Sequence, residues 1–268
     1  MRKNQVNEDK NSAKGKIFNF TAECGEPIDK KREIEYTKAR EVIKMSQIVE
    51  NIKRIKEGIA AGNKYGERVL LVAATKMQSV EAINEAIAGG VDAVAENKPQ
   101  EFRDKYPSVN TCPRHFIGHL QTNKIKYLLG KIELYHSCDR EDLAQELARQ
   151  SLKAGICSNI LIQVNIGDEQ SKGGYRYEEA KEVFSRLSQT DGLCVKGFMA
   201  MLPESEDEDL LRMLVRKMRT LFDWAKEQSE SVQYLSMGMS GDYKLCVEEG
   251  SNVIRVGSTI FGARNYGA

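Results

Sequence analysis

A lysine at the end of an apolar run is the first residue in this sequence whose type and position could do chemistry. Residues 69–75 read VLLVAAT, an aliphatic run typical of a buried strand, and Lys76 follows it directly. Ser79 then suits the N-cap of a helix. A lone lysine at a strand end usually extends its ammonium into water. A partly desolvated lysine has a lowered pKa and a free amine that can attack a carbonyl.

Two short loops rich in glycine and serine are candidates for a phosphate site. They are residues 239–242 (MSGD) and 256–259 (VGST). Small residues let backbone N–H groups approach a phosphate closely, and the hydroxyls add further donors. Asp242 would repel a dianion, so we expect it to cap the helix that begins there. Because serine–glycine pairs also occur in ordinary turns, these loops indicate a phosphate site only when the fold places them opposite the lysine.

Arg255 interrupts the apolar run of residues 253–256. A charged residue inside a strand must point outward, pair with an acid or meet a ligand. If Ile254 and Val256 face the surrounding helices, strand alternation turns Arg255 to the opposite side. An amine, a phosphate cradle and an inward guanidinium suit a phosphorylated aldehyde that forms a Schiff base. Pyridoxal 5′-phosphate is the commonest such molecule.

The elements that would position these residues alternate along the chain. A first helix carries four isoleucines on one face, and helical patterns then separate eight strand-like runs. Eight parallel strands alternating with helices over about 200 to 250 residues indicate an α/β protein with a single (β/α)8 TIM-type barrel. A doubly wound open sheet usually has a glycine-rich dinucleotide turn after its first strand, and this sequence has none. The eight runs are residues 69–75, 91–97, 114–120, 133–138, 159–166, 194–202, 234–242 and 252–262.

The barrel interpretation gives the candidate residues a common location. Active sites of such barrels lie at the C-terminal ends of the strands, and phosphate groups are usually held after the seventh and eighth strands. We therefore predict that Lys76 faces the two glycine–serine loops across one mouth. The barrel is expected to span residues 34–268. Residues 1–33 are polar and lack periodicity, and we expect them to form a flexible N-terminal extension.

Composition excludes several classes of function. Forty basic and thirty-nine acidic residues nearly cancel, which argues against bulk electrostatic capture of nucleic acid or anionic membrane. The sequence has no apolar run of membrane-spanning length, and its N-terminus lacks the apolar core of a signal peptide. Six scattered cysteines without a CxxC pair indicate a reduced, cytoplasmic protein. His115 and His119 share one strand face but have no suitable third ligand nearby, so we expect no metal site.

Seven segments, in order, resemble the pyridoxal-phosphate homeostasis protein family (the YggS/PROSC type). The resemblance covers about residues 36–266 and implies a single barrel similar to the N-terminal barrel of alanine racemase, a fold-type III pyridoxal-phosphate barrel. Ala95 replaces the glycine that is usual in the family, and Ser79 stands where a proline is common. The segments are ATK (74–76), AENKPQE (95–101), HFIGHLQTNK (115–124), VNIGDEQSKGG (164–174), GFMAM (197–201), SMGMSGD (236–242) and IRVGSTIFG (254–262).

The resemblance implies a role for each candidate residue. Lys76 would hold pyridoxal 5′-phosphate as a Schiff base, Arg255 would approach the pyridine nitrogen, and four loop residues would hold the phosphate. Two further residues would lie near the ring. The loop residues are Ser240, Gly241, Gly257 and Ser258, and the ring neighbours are Asn97 and Met199.

We expect a cofactor carrier in intracellular vitamin B6 homeostasis and assign no catalytic residue. Racemisation needs proton donors on both faces of the substrate carbon. The resemblance implies that alanine racemase takes one of these donors from an additional C-terminal domain, for which this chain has no room. An arginine at the ring nitrogen also weakens the electron sink.

Two alternative functions use the same lysine. They are a weak amino-acid racemase and a Schiff-base aldolase that uses Lys76 without pyridoxal phosphate. The expected partners are the cofactor and, as candidates, apo-enzymes that use it. We expect a monomer.

Overall fold

The computed structural model describes residues 47–169 and 172–262. The predicted extension over residues 1–33 and the predicted domain start at residue 34 lie outside these ranges and stay predictions. Helix α1 covers residues 47–59. Its predicted apolar face is confirmed, because four isoleucines spaced by three or four residues are buried against the barrel: Ile48, Ile52, Ile55 and Ile59.

Within the described residues, eight parallel strands close a barrel, which confirms the predicted fold. The barrel order is β1-β2-β3-β4-β5-β7-β8-β9, and β9 pairs with β1 to close the ring. A two-residue strand, β6, pairs in parallel with β5 beside the ring. The bounds are β1 (Leu70–Ala74), β2 (Ala93–Glu96), β3 (Arg114–Phe116), β4 (Leu134–Cys138), β5 (Ser158–Asn165), β6 (Tyr175–Arg176), β7 (Leu193–Ala200), β8 (Tyr234–Ser236) and β9 (Val253–Val256).

Helices connect most successive strands. The predicted N-cap of α2 is confirmed, since Ser79 Oγ accepts from the backbone N of Ala82 at 3.2 Å. No helix in the described part of the chain is long and apolar enough to cross a membrane. The bounds are α2 (Val80–Ala88), α3 (Pro99–Lys105), α4 (Glu141–Lys153), α5 (Ala180–Leu187), α6 (Glu208–Gln228), α7 (Tyr243–Glu248) and α8 (Ser258–Phe261).

Two sequence predictions about elements are wrong in detail. The α-helix expected between β3 and β4 is a 3₁₀ helix, Thr122–Tyr127. It lacks a side-chain N-cap, and threonine, asparagine, isoleucine and tyrosine in a short segment are poor helix formers. The runs predicted to continue β8 and β9 leave the sheet early. Gly238 has φ +101°, and a Cβ there would lie 2.8 Å from Tyr243 Cα, so the chain turns sharply after β8.

The apolar core lies in two layers. A large layer fills the space between the strands and the helices, and it includes Ile254 and Val256 of β9. A smaller set of apolar side chains lies in the barrel interior and includes Val72, Ala93, Ala95 and Val253. Because alternate residues of a strand face opposite sides, Arg255 points into the interior, above Val253.

Candidate functional site

Lys76 lies at the C-terminal end of the barrel, two residues beyond the end of β1. Its side chain is half-buried. The chain reverses immediately after it: Met77 has φ +61°, and the Gln78 N–H donates to Thr75 O at 3.1 Å. The structure thus places this lysine at the predicted mouth of the barrel, on a tight turn between β1 and α2.

The loops that follow β8 and β9 meet each other. Ser240 Oγ accepts hydrogen bonds from the backbone N of Gly257 at 3.2 Å and of Thr259 at 3.3 Å. Gly257 also lies against β1, since a Cβ on it would lie 3.4 Å from Ala74 O. The structure therefore brings the two predicted phosphate loops together and places one of them beside the strand that leads to Lys76.

The remaining loop residues have different surroundings. Ser258 is exposed and begins α8, and a Cβ on Gly241 would have nothing within 4 Å. Asp242 occupies the predicted N-cap position of α7, but its side chain makes no cap hydrogen bond to that helix. Its Oδ1 accepts instead from the backbone N of Met239 at 2.6 Å. Asp242 thus fixes the shape of the loop over residues 239–242.

Arg255 is a buried cation inside the barrel, with only 5 % of its surface exposed. Its Nη1 donates to Ser236 O at 2.8 Å and to Ser236 Oγ at 2.6 Å, and its Nη2 donates to Ala200 O at 3.1 Å. Burial lowers its pKa to about 10, so the guanidinium stays charged at neutral pH. These bonds hold a fixed positive charge below the mouth.

A pair of buried histidines extends the polar interior, and sequence reasoning missed it. His136 Nδ1 lies 2.9 Å from Ser236 Oγ, and His136 Nε2 lies 3.0 Å from His115 Nδ1. Because Arg255 already donates to Ser236 Oγ, the serine hydroxyl can donate to His136 Nδ1, which leaves His136 Nε2 to donate to His115. The sequence feature that could have revealed the pair is the one that revealed Arg255: His136 is a polar residue inside a buried strand, β4 (LYHSC).

Both histidines of this pair are neutral at physiological pH. Burial lowers the pKa of His115 to about 4. Burial, and then the proximity of His115 and Arg255, lowers the pKa of His136 well below its usual range. This layer of the described interior therefore combines the positive charge of Arg255 with two uncharged imidazoles.

His119 is separate from this pair. Strand β3 ends at Phe116, so the shared strand face predicted for His115 and His119 is wrong. His119 is largely exposed, and its Nδ1 lies 2.8 Å from Asp139 Oδ2. Over residues 47–169 and 172–262, no group of three or more histidine, cysteine, aspartate or glutamate side chains could hold a metal ion.

Asn97 and Met199 occupy contrasting positions. Asn97 follows β2, and its Oδ1 is buried without a hydrogen-bond partner among the described residues. A Cβ on Gly118 would lie 1.9 Å from Asn97 O, so the backbone after β3 packs directly against the backbone of Asn97. Met199 is fully buried in the barrel interior with Leu134 and Leu161. An unpartnered amide oxygen beside the lysine turn suits a ligand that carries a hydroxyl donor.

Comparison with known proteins decides the family. The sequence profile described as "Alanine racemase, N-terminal domain" matches residues 43–265. The "Pyridoxal phosphate homeostasis protein" of Aquifex aeolicus (strain VF5) is 37% identical over 226 residues, which cover 83% of this chain and 98% of that protein. The chain belongs to the pyridoxal phosphate homeostasis protein family. The family resemblance drawn from the sequence motifs is confirmed.

Solved structures agree with the assignment to the pyridoxal phosphate homeostasis protein family. PipY of Synechococcus elongatus PCC7942, solved with PLP bound, is 27% identical with a TM-score of 0.69, over 80% of this chain and all of PipY. An alanine racemase of Clostridium difficile 630 is 15% identical with a TM-score of 0.67 and shows the same fold. The match covers 82% of this chain and 57% of that racemase.

The buried histidine pair leads to a prediction about protonation. We expect ¹⁵N spectra of the ligand-free protein to show neutral imidazoles for His115 and His136 from about pH 8 down to about pH 5, although histidine ordinarily titrates in this window. The physical reason is burial of both rings, and charging His136 would in addition place a second cation near Arg255. Replacement of each histidine by glutamine assigns the signals. An imidazolium signal from His115 or His136 at pH 6 would contradict the buried arrangement.

Proposed function

We propose that the chain binds pyridoxal 5′-phosphate covalently on Lys76 and acts in vitamin B6 homeostasis as a carrier of the cofactor. The observation that carries this proposal is the meeting of three elements at one mouth. The Lys76 turn, the loop with Ser240 and the loop with Gly257 lie side by side. The PLP-bound structure of PipY supports the choice of ligand.

The residues present fit this cofactor. Pyridoxal 5′-phosphate supplies an aldehyde that condenses with a lysine amine, a phosphate dianion and a phenolic hydroxyl. We assign the amine to Lys76 and the hydroxyl's acceptor to the unpartnered Oδ1 of Asn97. The residues that we assign to the phosphate are Ser240, Gly241, Gly257 and Ser258.

The phosphate assignment rests on donors that already point at one oxygen. The backbone N–H groups of Gly257 and Thr259 both donate to Ser240 Oγ. Clustered backbone N–H groups with adjacent hydroxyls form a typical anion-binding loop. Gly257 lies beside Ala74 at the end of β1, and Lys76 follows two residues later. We therefore assign the amine and the phosphate donors to the same mouth of the barrel.

Arg255 favours a carrier over an enzyme. Three hydrogen bonds fix its guanidinium in the interior, and its charge persists at neutral pH. We assign it to the ring nitrogen, where a fixed cation opposes protonation. An unprotonated ring withdraws electrons weakly, and amino-acid chemistry then becomes slow. Met199, packed inside the barrel with Leu134 and Leu161, would lie near the ring.

A weak amino-acid racemase remains the second candidate, favoured by the match to the alanine racemase N-terminal domain. The chain corresponds to 57% of the compared racemase, so more than a third of that enzyme lies beyond the shared barrel. The aldolase alternative would use Lys76 without the cofactor, and a yellow purified protein would exclude it.

Further parts of the proposal rest on composition and on the family. We propose that the protein is a cytoplasmic monomer and that apo-enzymes requiring the cofactor receive it from this chain.

The central prediction concerns Lys76. Borohydride reduction of the protein loaded with pyridoxal 5′-phosphate should fix the cofactor on this lysine, because Lys76 lies at the same mouth of the barrel as the two phosphate loops. Peptide mass mapping measures the position. Lys76→Ala should lose the cofactor's absorbance in the visible range but keep a native circular dichroism spectrum. Lys98→Ala, an exposed lysine after β2, is the control and should load normally. An adduct found only on another lysine would contradict the assignment.

A second prediction concerns the phosphate loops. Joint replacement of Ser240 and Ser258 by alanine should weaken retention of pyridoxal 5′-phosphate, by roughly 1 to 3 kcal/mol for each lost charge-assisted hydrogen bond. Equilibrium dialysis measures the loss. Pyridoxal, which lacks the phosphate, should bind wild type and variant equally poorly. Equal losses for both vitamers would mean that the two serines support the fold and not the phosphate.

A third prediction separates the carrier from the racemase. With the cofactor fully bound, the wild-type protein should exchange the α-proton of L-alanine for deuterium negligibly, because Arg255 keeps the ring nitrogen unprotonated. Arg255→Glu should raise the exchange rate, with occupancy checked in both proteins by absorbance. Proton NMR in deuterated water measures the rate. Wild-type exchange on the order of 1 per second or faster would support the racemase instead.

A further inference from the structure

A network of charged side chains holds the backbone on both sides of Lys76. Lys105 Nζ donates to the backbone oxygen of Thr75 at 3.2 Å. The backbone N of Met77 donates to Glu101 Oε2 at 2.8 Å. The peptide groups immediately before and after Lys76 are therefore both tied to side chains of α3.

Lys105 is the centre of this network. Its ammonium bonds Glu101 Oε2 at 2.9 Å and Glu96 Oε1 at 3.0 Å, in addition to the Thr75 oxygen. Glu96 Oε1 also accepts from Thr75 Oγ1 at 2.8 Å. One ammonium thus joins the end of β2, helix α3 and the lysine turn.

Burial makes these contacts strong and interdependent. The side chains of Lys105 and Glu96 are 18 % and 7 % exposed. Burial raises the pKa of Glu96 despite its hydrogen bonds from Lys105 and Thr75. Burial also acts to raise the pKa of Glu101, but the hydrogen bonds from Lys105 and Met77 outweigh it and lower that pKa. Removal of the ammonium would leave two carboxylates without their shared cation, and breaking a buried ion pair is strongly destabilising.

The lysine turn needs such support because its backbone is strained. Met77 has φ +61°, a conformation that costs a non-glycine residue about 1 to 3 kcal/mol and persists only when its surroundings impose it. The Met77 side chain is 65 % exposed, so its own packing does not impose the turn. The hydrogen bond from Met77 N to Glu101 Oε2 imposes this conformation.

We propose that Lys105 is a positioning residue that holds the strained turn at Thr75–Met77 and so sets how fast Lys76 captures its aldehyde. This inference rests on the proposed function of Lys76. Lys105 acts through the two peptide groups that flank Lys76, and it orients Glu101 toward Met77. The geometry of the amine, and not the affinity of the phosphate loops, is what Lys105 controls.

The test compares Lys105→Met with a matched control, Lys98→Met. Lys98 is an exposed lysine that precedes α3; its side chain makes no hydrogen bond or ion pair with the network, and its charge is a minor cause of the lowered pKa of Glu101. In the ligand-free protein, hydrogen–deuterium exchange should show faster exchange of the Met77 amide in K105M, by about 10-fold or more. Stopped-flow absorbance with pyridoxal 5′-phosphate should show capture slowed by roughly 10- to 100-fold, as expected for a misplaced reacting group. K98M should match wild type in both measurements, and K105R should recover part of the rate.

The outcomes distinguish this inference from the proposed function. A wild-type protein that traps no cofactor on Lys76 would overturn the proposed function itself. Normal wild-type trapping, with K105M unchanged in capture rate or in Met77 exchange, would overturn the positioning role alone. If K105M lacks a native circular dichroism spectrum, Glu101→Ala decides, because it removes the acceptor of the Met77 amide and leaves Lys105 paired with Glu96. An unchanged capture rate in E101A would then contradict the inference.

Discussion

The register between the first and last barrel strands is the constraint on which the site depends. Leu70, Leu71, Val72 and Ala73 pair with Val253, Ile254, Arg255 and Val256. This register sets Gly257 beside Ala74 and therefore brings the last loop to the lysine turn. A slip of one residue would turn Arg255 toward the helix layer, where Ile254 and Val256 now pack. An uncompensated cation there would cost several kcal/mol of stability. The register that closes the barrel therefore keeps Arg255 in the interior, and the cost of moving this charge disfavours any other register.

Inside the barrel, the cation of Arg255 determines how the neighbouring polar side chains form hydrogen bonds. Arg255 takes both oxygens of Ser236 and the carbonyl of Ala200, so the serine hydroxyl is left to donate onward. His136 and His115 continue the chain as neutral rings. Hydrogen bonds thus link Arg255, Ser236, His136 and His115 into one buried polar network, and such a network rigidifies a core when its groups are paired. The arginine is therefore held by a layer of polar groups from several strands, and its position does not depend on a ligand.

Local sequence patterns predicted one part of this structure. Alternation of apolar residues predicted the eight strands, the α1 face and the inward Arg255, and the barrel rule placed Lys76 and the two loops at one end. Strand ends were predicted less well, because single apolar residues recur in SMGMSGD and VGSTIFG after the strands end at Ser236 and Val256. The contacts of Lys105 with Glu96 and Thr75 were not predictable at all. They join residues 9 and 30 positions apart through the end of the Lys105 side chain, which no periodicity records. Glu101 and Lys105, in contrast, are four positions apart on one helix, a spacing that brings side chains together.

The structure supports Lys76 and Arg255 by separate networks. The lysine turn is held from β2 and α3, through Glu96, Glu101 and Lys105. The arginine is held from β7 and β8, through Ala200 and Ser236. None of these hydrogen bonds and ion pairs joins one network to the other. Capture of an aldehyde depends on the position of an amine, whereas carbanion chemistry depends on the charge at the ring, so the two properties can change independently. This separation suits the proposed carrier, because fast capture of the cofactor need not bring fast side reactions with it.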